Sequence, residues 1–132
     1  MIFIDSNIPM YLIGAPHPHK ADAQRLLERC ITERRRLVTD AEALREILHL
    51  YVSIGRHDAI QPALDALLGI VDEVFQIDVP SVERAKTLLL GNKRLSSRAA
   101  LHLAVMQRQG AAQILSFDAG FDGFPGISRM TV

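Results

Sequence analysis

Short apolar runs set apart by stretches of helical periodicity constrain this chain more than any other feature. Met1-Ile2-Phe3-Ile4, Leu37-Val38-Thr39, Val74-Phe75-Gln76-Ile77 and Gln113-Ile114-Leu115-Ser116-Phe117 are too short for helices. They are rich in β-branched and aromatic residues, so each reads as a buried strand. Ile127 to Met130 reads as a closing edge strand. Between these runs the apolar residues recur at helical spacing. Strands joined through helices cannot pair as hairpins; they form a parallel sheet with right-handed crossovers and helices on both faces. The expectation is an α/β fold, a three-layer α/β/α sandwich around a parallel sheet of four to five strands. With 132 residues and no linker, repeat or low-complexity segment, 1–132 is a single domain.

The helix limits carry their own signals. Ile8 to Ile13 is a short apolar helix, broken by Gly14-Ala15-Pro16-His17-Pro18-His19. Spacing of two on a Pro-rich loop marks His17 and His19 as solvated. Residues 20–35 place Ala23, Leu26, Leu27, Cys30 and Ile31 on one stripe. Arg34-Arg35-Arg36 closes that helix, where cations suit the dipole; a phosphate patch is the competing reading. Thr39 or Asp40 caps a helix to about Val52, which Gly55 ends, and another helix covers 57–70. Pro80 opens the next helix as an N1 residue behind the cap Asp78, and Gly91-Asn92 stops it. Ser96 or Ser97 caps the last helix, which runs to about Gln109 before Gly110.

Composition narrows the partners. Fifteen basic and fifteen acidic residues cancel, so no global field announces nucleic acid or membrane. With no Trp, two Tyr and five Phe, an aromatic base-stacking platform is not expected. A lone cysteine, Cys30, excludes an intrachain disulfide and suits a reducing, cytoplasmic setting. The N-terminal apolar run is interrupted by Asp5 and does not read as a signal peptide, and no run approaches the length of a membrane span.

Two strands end in an acid: Ile4 runs into Asp5, and Phe117 into Asp118. In a parallel sheet both emerge at the carboxyl edge, where open α/β sheets bind ligands. Glu46, early in the helix after the second strand, reaches that edge, and Asp122 follows Asp118 closely. Carboxylates gathered this tightly repel one another and need a cation. Without Cys, or His at ligand spacing, that cation is Mg²⁺ or Mn²⁺ rather than Zn²⁺, and the chemistry is phosphodiester hydrolysis. Ser6 and Asn7 either bond Asp5 and its surroundings or cap the next helix. His102, flanked by Leu101 and Leu103, reads as a packed or edge histidine, and Asp40, Glu42 and Asp78 as helix N-terminal charges.

Together, Met1-Ile2-Phe3-Ile4-Asp5-Ser6-Asn7, the Glu46 helix, Arg94-Leu95-Ser96-Ser97-Arg98-Ala99-Ala100-Leu101-His102-Leu103-Ala104 and Leu115-Ser116-Phe117-Asp118-Ala119-Gly120-Phe121-Asp122 resemble a PIN domain. They are most similar to the VapC-type toxins of prokaryotic toxin–antitoxin pairs. The resemblance spans essentially the whole chain. It implies a Mg²⁺- or Mn²⁺-dependent endoribonuclease acting on tRNA, rRNA or mRNA, a small antitoxin partner and a homodimer. The catalytic set it implies is Asp5, Glu46, Asp118 and Asp122, with Asp5 and Asp118 as metal ligands. Lys93, Arg94, Arg98, Ser6 and Asn7 are candidates for RNA contact.

The family pattern has a further acidic metal ligand one residue after the Arg of the Leu-Ser-x-Arg run, where this chain has Ala99. If Ser96 is the cap, residue 99 is N3, where an acid also completes a capping box. The otherwise intact motif favours a deliberate inactivating substitution over a natural degenerate copy. Either way one anionic ligand is lost and hydrolysis is expected to be very weak. The competing functions are a non-catalytic PIN-like module binding protein or RNA, which Ala99 supports, and a receiver-like phosphoryl-transfer domain, which lacks its paired acids and its late Lys.

Overall fold

A computed structural model describes residues 1–131. Five strands form one sheet: β1 (Ile2–Ile4), β2 (Leu37–Asp40), β3 (Glu73–Phe75), β4 (Gln113–Leu115) and β5 (Ser128–Met130). Their spatial order is β3-β2-β1-β4-β5, and every pair is parallel. The crossovers are α1 (Asn7–Ile13) and α2 (Pro18–Thr32), α3 (Ala41–Ser53) and α4 (Ile60–Ile70), then α5 (Val79–Gly91) and α6 (Ser97–Gln109). The α/β sandwich and its five-stranded parallel sheet are those anticipated.

The N-terminal strand is the middle of the sheet. Ile2 pairs in register with Leu37 on one side and Gln113 on the other, and Ile4 with Leu115. With neighbours on both edges and helices on both faces, all of β1 is buried. Its alternation sorts the two cores. Ile2 and Ile4 join Leu37, Leu115 and the apolar stripes of α2, α3 and α4. Phe3 joins Val38, Ile114 and residues Leu103 and Met106 of α6 on the opposite face. Ala85, Ala100 and Ala104 let α5 and α6 approach closely.

Several limits differ from expectation. The second helix starts at Pro18, because the His17 ring nitrogen accepts from the His19 N–H and caps it. It stops at Thr32, because Arg34 adopts a left-handed conformation with φ 55°. Arg34 to Arg36 therefore form the link into β2 rather than a helix end. Arg36 pairs with Glu73 and Arg35 with Gln113, at the amino edge of the sheet, opposite the edge where Asp5 and Asp118 emerge. That placement sets the triplet apart from the strand-exit carboxylates. The span 57–70 divides into a 3₁₀ turn, His57–Ala59, followed by α4.

The caps elsewhere are those the residues announce. Asp40 accepts from Ala43 N at 3.0 Å, Asp78 from Ser81 N at 3.0 Å and Ser96 from Ala99 N at 3.2 Å. Asp78 also meets Arg108 at the far end of α6, which keeps it out of the carboxyl-edge cluster. β4 ends at Leu115, two residues earlier than the pattern suggests, because the Ser116 hydroxyl turns to the Asp5 carboxylate.

Candidate active site

Four carboxylates meet at the carboxyl edge of the sheet. Asp5, at the exit of β1, is fully buried. Its Oδ1 accepts the Ser6 N–H at 2.7 Å, and its Oδ2 accepts the Ser116 hydroxyl at 2.6 Å and the Asn7 amide at 3.4 Å. Glu46, on α3, receives the Ser6 hydroxyl on Oε2 at 2.6 Å. Asp118, half-buried beyond β4, accepts the Gly120 N–H on Oδ1 at 2.8 Å. Asp40 completes the group from the end of β2. Parallel strands deliver Asp5, Asp40 and Asp118 to one edge, where the first turns of α1, α3 and α6 also begin. The positive ends of those helices favour negative charge there.

Two cations from α6 hold these acids together. Arg98 donates from Nη1 to Glu46 Oε2 at 2.9 Å and from Nη2 to Asp118 Oδ2 at 2.6 Å, with Asp5 Oδ1 3.9 Å from Nη1. His102, four residues on and so on the same helix face, is fully buried. Its Nδ1 lies 2.9 Å from Asp40 Oδ2, its Nε2 2.7 Å from Glu46 Oε1 and 3.7 Å from Asp5 Oδ1. Burial opposes charge on this imidazole. The Asp40 carboxylate, then the Glu46 hydrogen bond, outweigh it and push its pKa well above 6.5. A carboxylate oxygen faces each ring nitrogen, an arrangement that favours the protonated ring. Glu46 is the reciprocal case: burial pulls its pKa up, but the His102 bond and charge, with Ser6 and Arg98, bring it down to about 2. Phe3, its ring centroid 5.0 Å from that of His102, floors the site.

The sequence reading and the geometry differ in several places. Asp5, Glu46 and Asp118 are brought together by one guanidinium. Asp122 is not among them: it is half-exposed and paired with Arg129 at 2.8 and 2.9 Å. Arg129 in turn donates to Ser116 O at 3.2 Å, so Asp122 is one step removed from the cluster. Glu42 pairs with Arg45 and takes no part. Lys93 and Arg94 are exposed on the loop that leads into α6. Ser6 and Asn7 bond the carboxylates, and Asn7 also reaches the Ser116 hydroxyl at 3.2 Å.

The sequence reading missed His102 and Asp40. Asp5, Glu46 and His102 offer ligand atoms within 4.8 Å of one another. Because both nitrogens of His102 are taken up by carboxylates, the ring is placed as a partner of the acids rather than as a lone-pair donor. Its signal was its position, four residues after Arg98 on the face that carries residue 99. Leu101 and Leu103 on either side disguised it.

Ala99 is buried at N3 of α6, between these two cations, and packs with the Phe3 and Phe121 cluster. Asp5, Asp40, Glu46 and Asp118 outnumber Arg98 and His102, which leaves a formal excess of two negative charges. The donors facing the cleft are carboxylate oxygens, the set that hard divalent cations prefer, so the residues present fit Mg²⁺ or Mn²⁺.

Comparison with known proteins agrees with this geometry. Residues 2–127 match the model of the PIN domain. A VapC ribonuclease of Mycobacterium bovis is 58% identical over 130 residues, covering 98% of this chain and 99% of that protein. Ribonuclease VapC23 of Mycobacterium tuberculosis is 39% identical over 118 residues, covering 89% and 93%. Among solved structures, M. tuberculosis VapC20, a sarcin–ricin loop cleaving toxin, shares the fold with a TM-score of 0.77 at 23% identity, over 96% and 98% of the two chains. VapBC2 of Rickettsia felis, bound to a DNA fragment from its promoter, superposes with a TM-score of 0.75 at 15% identity, over 98% of each chain.

The buried pair generates a stability prediction. Replacing His102 with Leu leaves Asp40 buried without a cation and Glu46 with Arg98 alone, and urea denaturation is expected to show a loss of about 3–5 kcal/mol. The pH profile should follow. Stability from Glu46 is present above its ordinary value of 4.5 and is lost as pH falls toward about 2. Stability from His102 is fully present below 6.5 and is lost only as pH rises through its raised value. Unfolding midpoints should therefore drop on acidification below about pH 4.5, and the drop should shrink in the His102→Leu variant.

Proposed function

The chain belongs to the PIN domain family and, within it, to the VapC ribonucleases; from that premise we propose that it is the toxin of a toxin–antitoxin pair, built for divalent-metal-dependent cleavage of RNA and impaired at Ala99. The observation that carries the reading is the convergence of Asp5, Glu46 and Asp118 with an unneutralised double negative charge. These three residues would hold Mg²⁺ or Mn²⁺, and the ion would supply an activated water and charge stabilisation at the scissile phosphate.

The protein's own groups set the stage. Ser6 and Ser116 fix the Asp5 and Glu46 carboxylates by hydrogen bonds. His102 is a positioning residue: it binds Glu46 Oε1 and leaves Oε2 toward the cleft. Arg98, with its side chain 35% exposed, is the cation able to leave the cluster and meet a phosphate. Lys93 and Arg94 stand on the loop before it as secondary RNA contacts.

Ala99 weakens this design. It lies three residues before His102 on the site-facing turn of α6, so an acid there would add an anionic oxygen beside Arg98. A non-catalytic module binding RNA or protein is the second reading, and Ala99 is the observation that favours it. A small antitoxin is the proposed protein partner. Leu50, Val52 and Ile54, at the end of α3, are exposed together and suit a helix-in-groove contact. A homodimer is proposed from the family alone.

Two measurements test the reading. The Ala99→Asp variant should cleave RNA in Mn²⁺ at least ~100-fold faster than the parent chain, a larger effect than the loss of an outer contact usually brings, and EDTA should abolish it. Equal inactivity of both proteins with Mn²⁺ bound would leave the binding-module reading. Separately, Arg98→Gln removes the cation that now occupies the carboxylates. Calorimetric titration with Mn²⁺ should show roughly tenfold tighter binding, a fraction of the ~4 kcal/mol between unit charges 4 Å apart at an effective dielectric near 20.

A further inference from the structure

Four rings gather beside the carboxylate cluster. Tyr11 on α1 lies 4.9 Å from His17 and 5.0 Å from His19, centroid to centroid. His19 stacks on Phe117 at 4.1 Å with planes 12° apart, and Tyr11 meets Phe117 edge-on at 5.2 Å. Few Phe and Tyr and no Trp do not prevent a ring platform here, because histidines supply half of this assembly.

Two of these rings, Tyr11 and His17, line a cavity of about 380 Å³ together with Asn7, Met10, Pro16, Leu50 and Tyr51, among others. None of the lining residues is an acid, Lys or Arg, and most of the wall is apolar. One residue, Asn7, connects the cavity to the carboxylate cluster: it lines the cavity and also donates to Asp5 Oδ2 at 3.4 Å, while Phe117 directly precedes Asp118. The loop that presents His17 is held in place. Pro16 and Pro18 flank it, Lys20 Nζ donates to Gly14 O at 3.1 Å, and His17 Nδ1 accepts from His19 N at 3.0 Å. Such a wall is largely preorganised and has little ordering entropy to lose on binding.

We propose that this cavity is a nucleobase subsite, in which an unpaired base next to the scissile phosphate of an RNA stacks against His17 and Tyr11. The proposal rests on the reading of the cleft as RNA-cleaving and deepens it. A flat, neutral, amphipathic ligand fits a cavity with ring walls and no formal charge; a phosphate does not. With the phosphate at the carboxylates, the adjoining base lies over Asn7, at the mouth of the cavity. Stacking tolerates any base, so the subsite selects unpaired RNA rather than a particular sequence.

The test separates stacking from helix capping, since His17 does both. Fluorescence anisotropy in Mg²⁺ compares a short single-stranded RNA of mixed sequence with an abasic oligonucleotide of the same length, on the Ala99 chain so that binding is read apart from turnover. The base-bearing RNA should bind roughly tenfold or more tightly. His17→Asn, which keeps a capping acceptor and removes the ring, should erase that difference; His17→Phe, which keeps a ring and removes the cap, should retain it. Equal affinity for the two oligonucleotides, including no binding of either, overturns the proposal. So does the reverse order of the two variants. Displacement by a Leu-rich amphipathic peptide without any preference for base-bearing RNA would assign the cavity to a protein partner and overturn it too. Failure of Ala99→Asp to cleave RNA would count against the catalytic reading and leave this binding comparison standing.

Discussion

The contact between the α6 cations and the edge carboxylates is the one on which the rest of the site depends. Asp5, Asp40 and Glu46 are buried where a lone carboxylate would have to give up its charge. They stay close because His102 bonds two of them from opposite ring nitrogens and Arg98 spans Glu46 and Asp118. The arrangement satisfies the acids without neutralising them. An excess of negative charge remains, and that residual field is what a divalent ion would complete.

The fold produces this placement with few devices. A parallel sheet sends every strand exit to one edge, so an acid after β1, one at the end of β2 and one after β4 converge without long loops. The Phe3 ring lies under His102 because β1 alternates faces, with Ile2 and Ile4 committed to the other core. The packing of the central strand and the orientation of the His102 ring are therefore one constraint. Substitution at Phe3 would reach the site through the ring of His102.

The elements were legible because they rest on short-range signals: apolar runs for the strands, Asp40, Asp78 and Ser96 for the caps, Gly110 for the end of α6. Asp5, Glu46 and Asp118 were legible because a parallel sheet makes strand exits coincide. What was not legible depends on partners far along the chain. Asp122 looked equivalent to Asp118, four residues away, until Arg129 claimed it. His102 looked like a core residue because its neighbours are leucines, and only Asp40 and Glu46, more than fifty positions earlier, reveal its charge. The triplet Arg34 to Arg36 looked like a helix end, and a left-handed Arg34 makes it the link into β2 at the amino edge of the sheet instead.

The position of β1 has one more consequence. β1, the earliest of these five strands in chain order, is the centre of the sheet, and the Ser116 hydroxyl that seats the Asp5 carboxylate comes from 111 residues later. Loop closure over that separation is slow, and nothing local substitutes for it. On the ribosome, Asp5 therefore emerges long before the strand that completes its surroundings. The cleft is assembled only once the segment after β4 is free, so a nascent chain carries its earlier acids without an organised site beside the RNA machine that makes it.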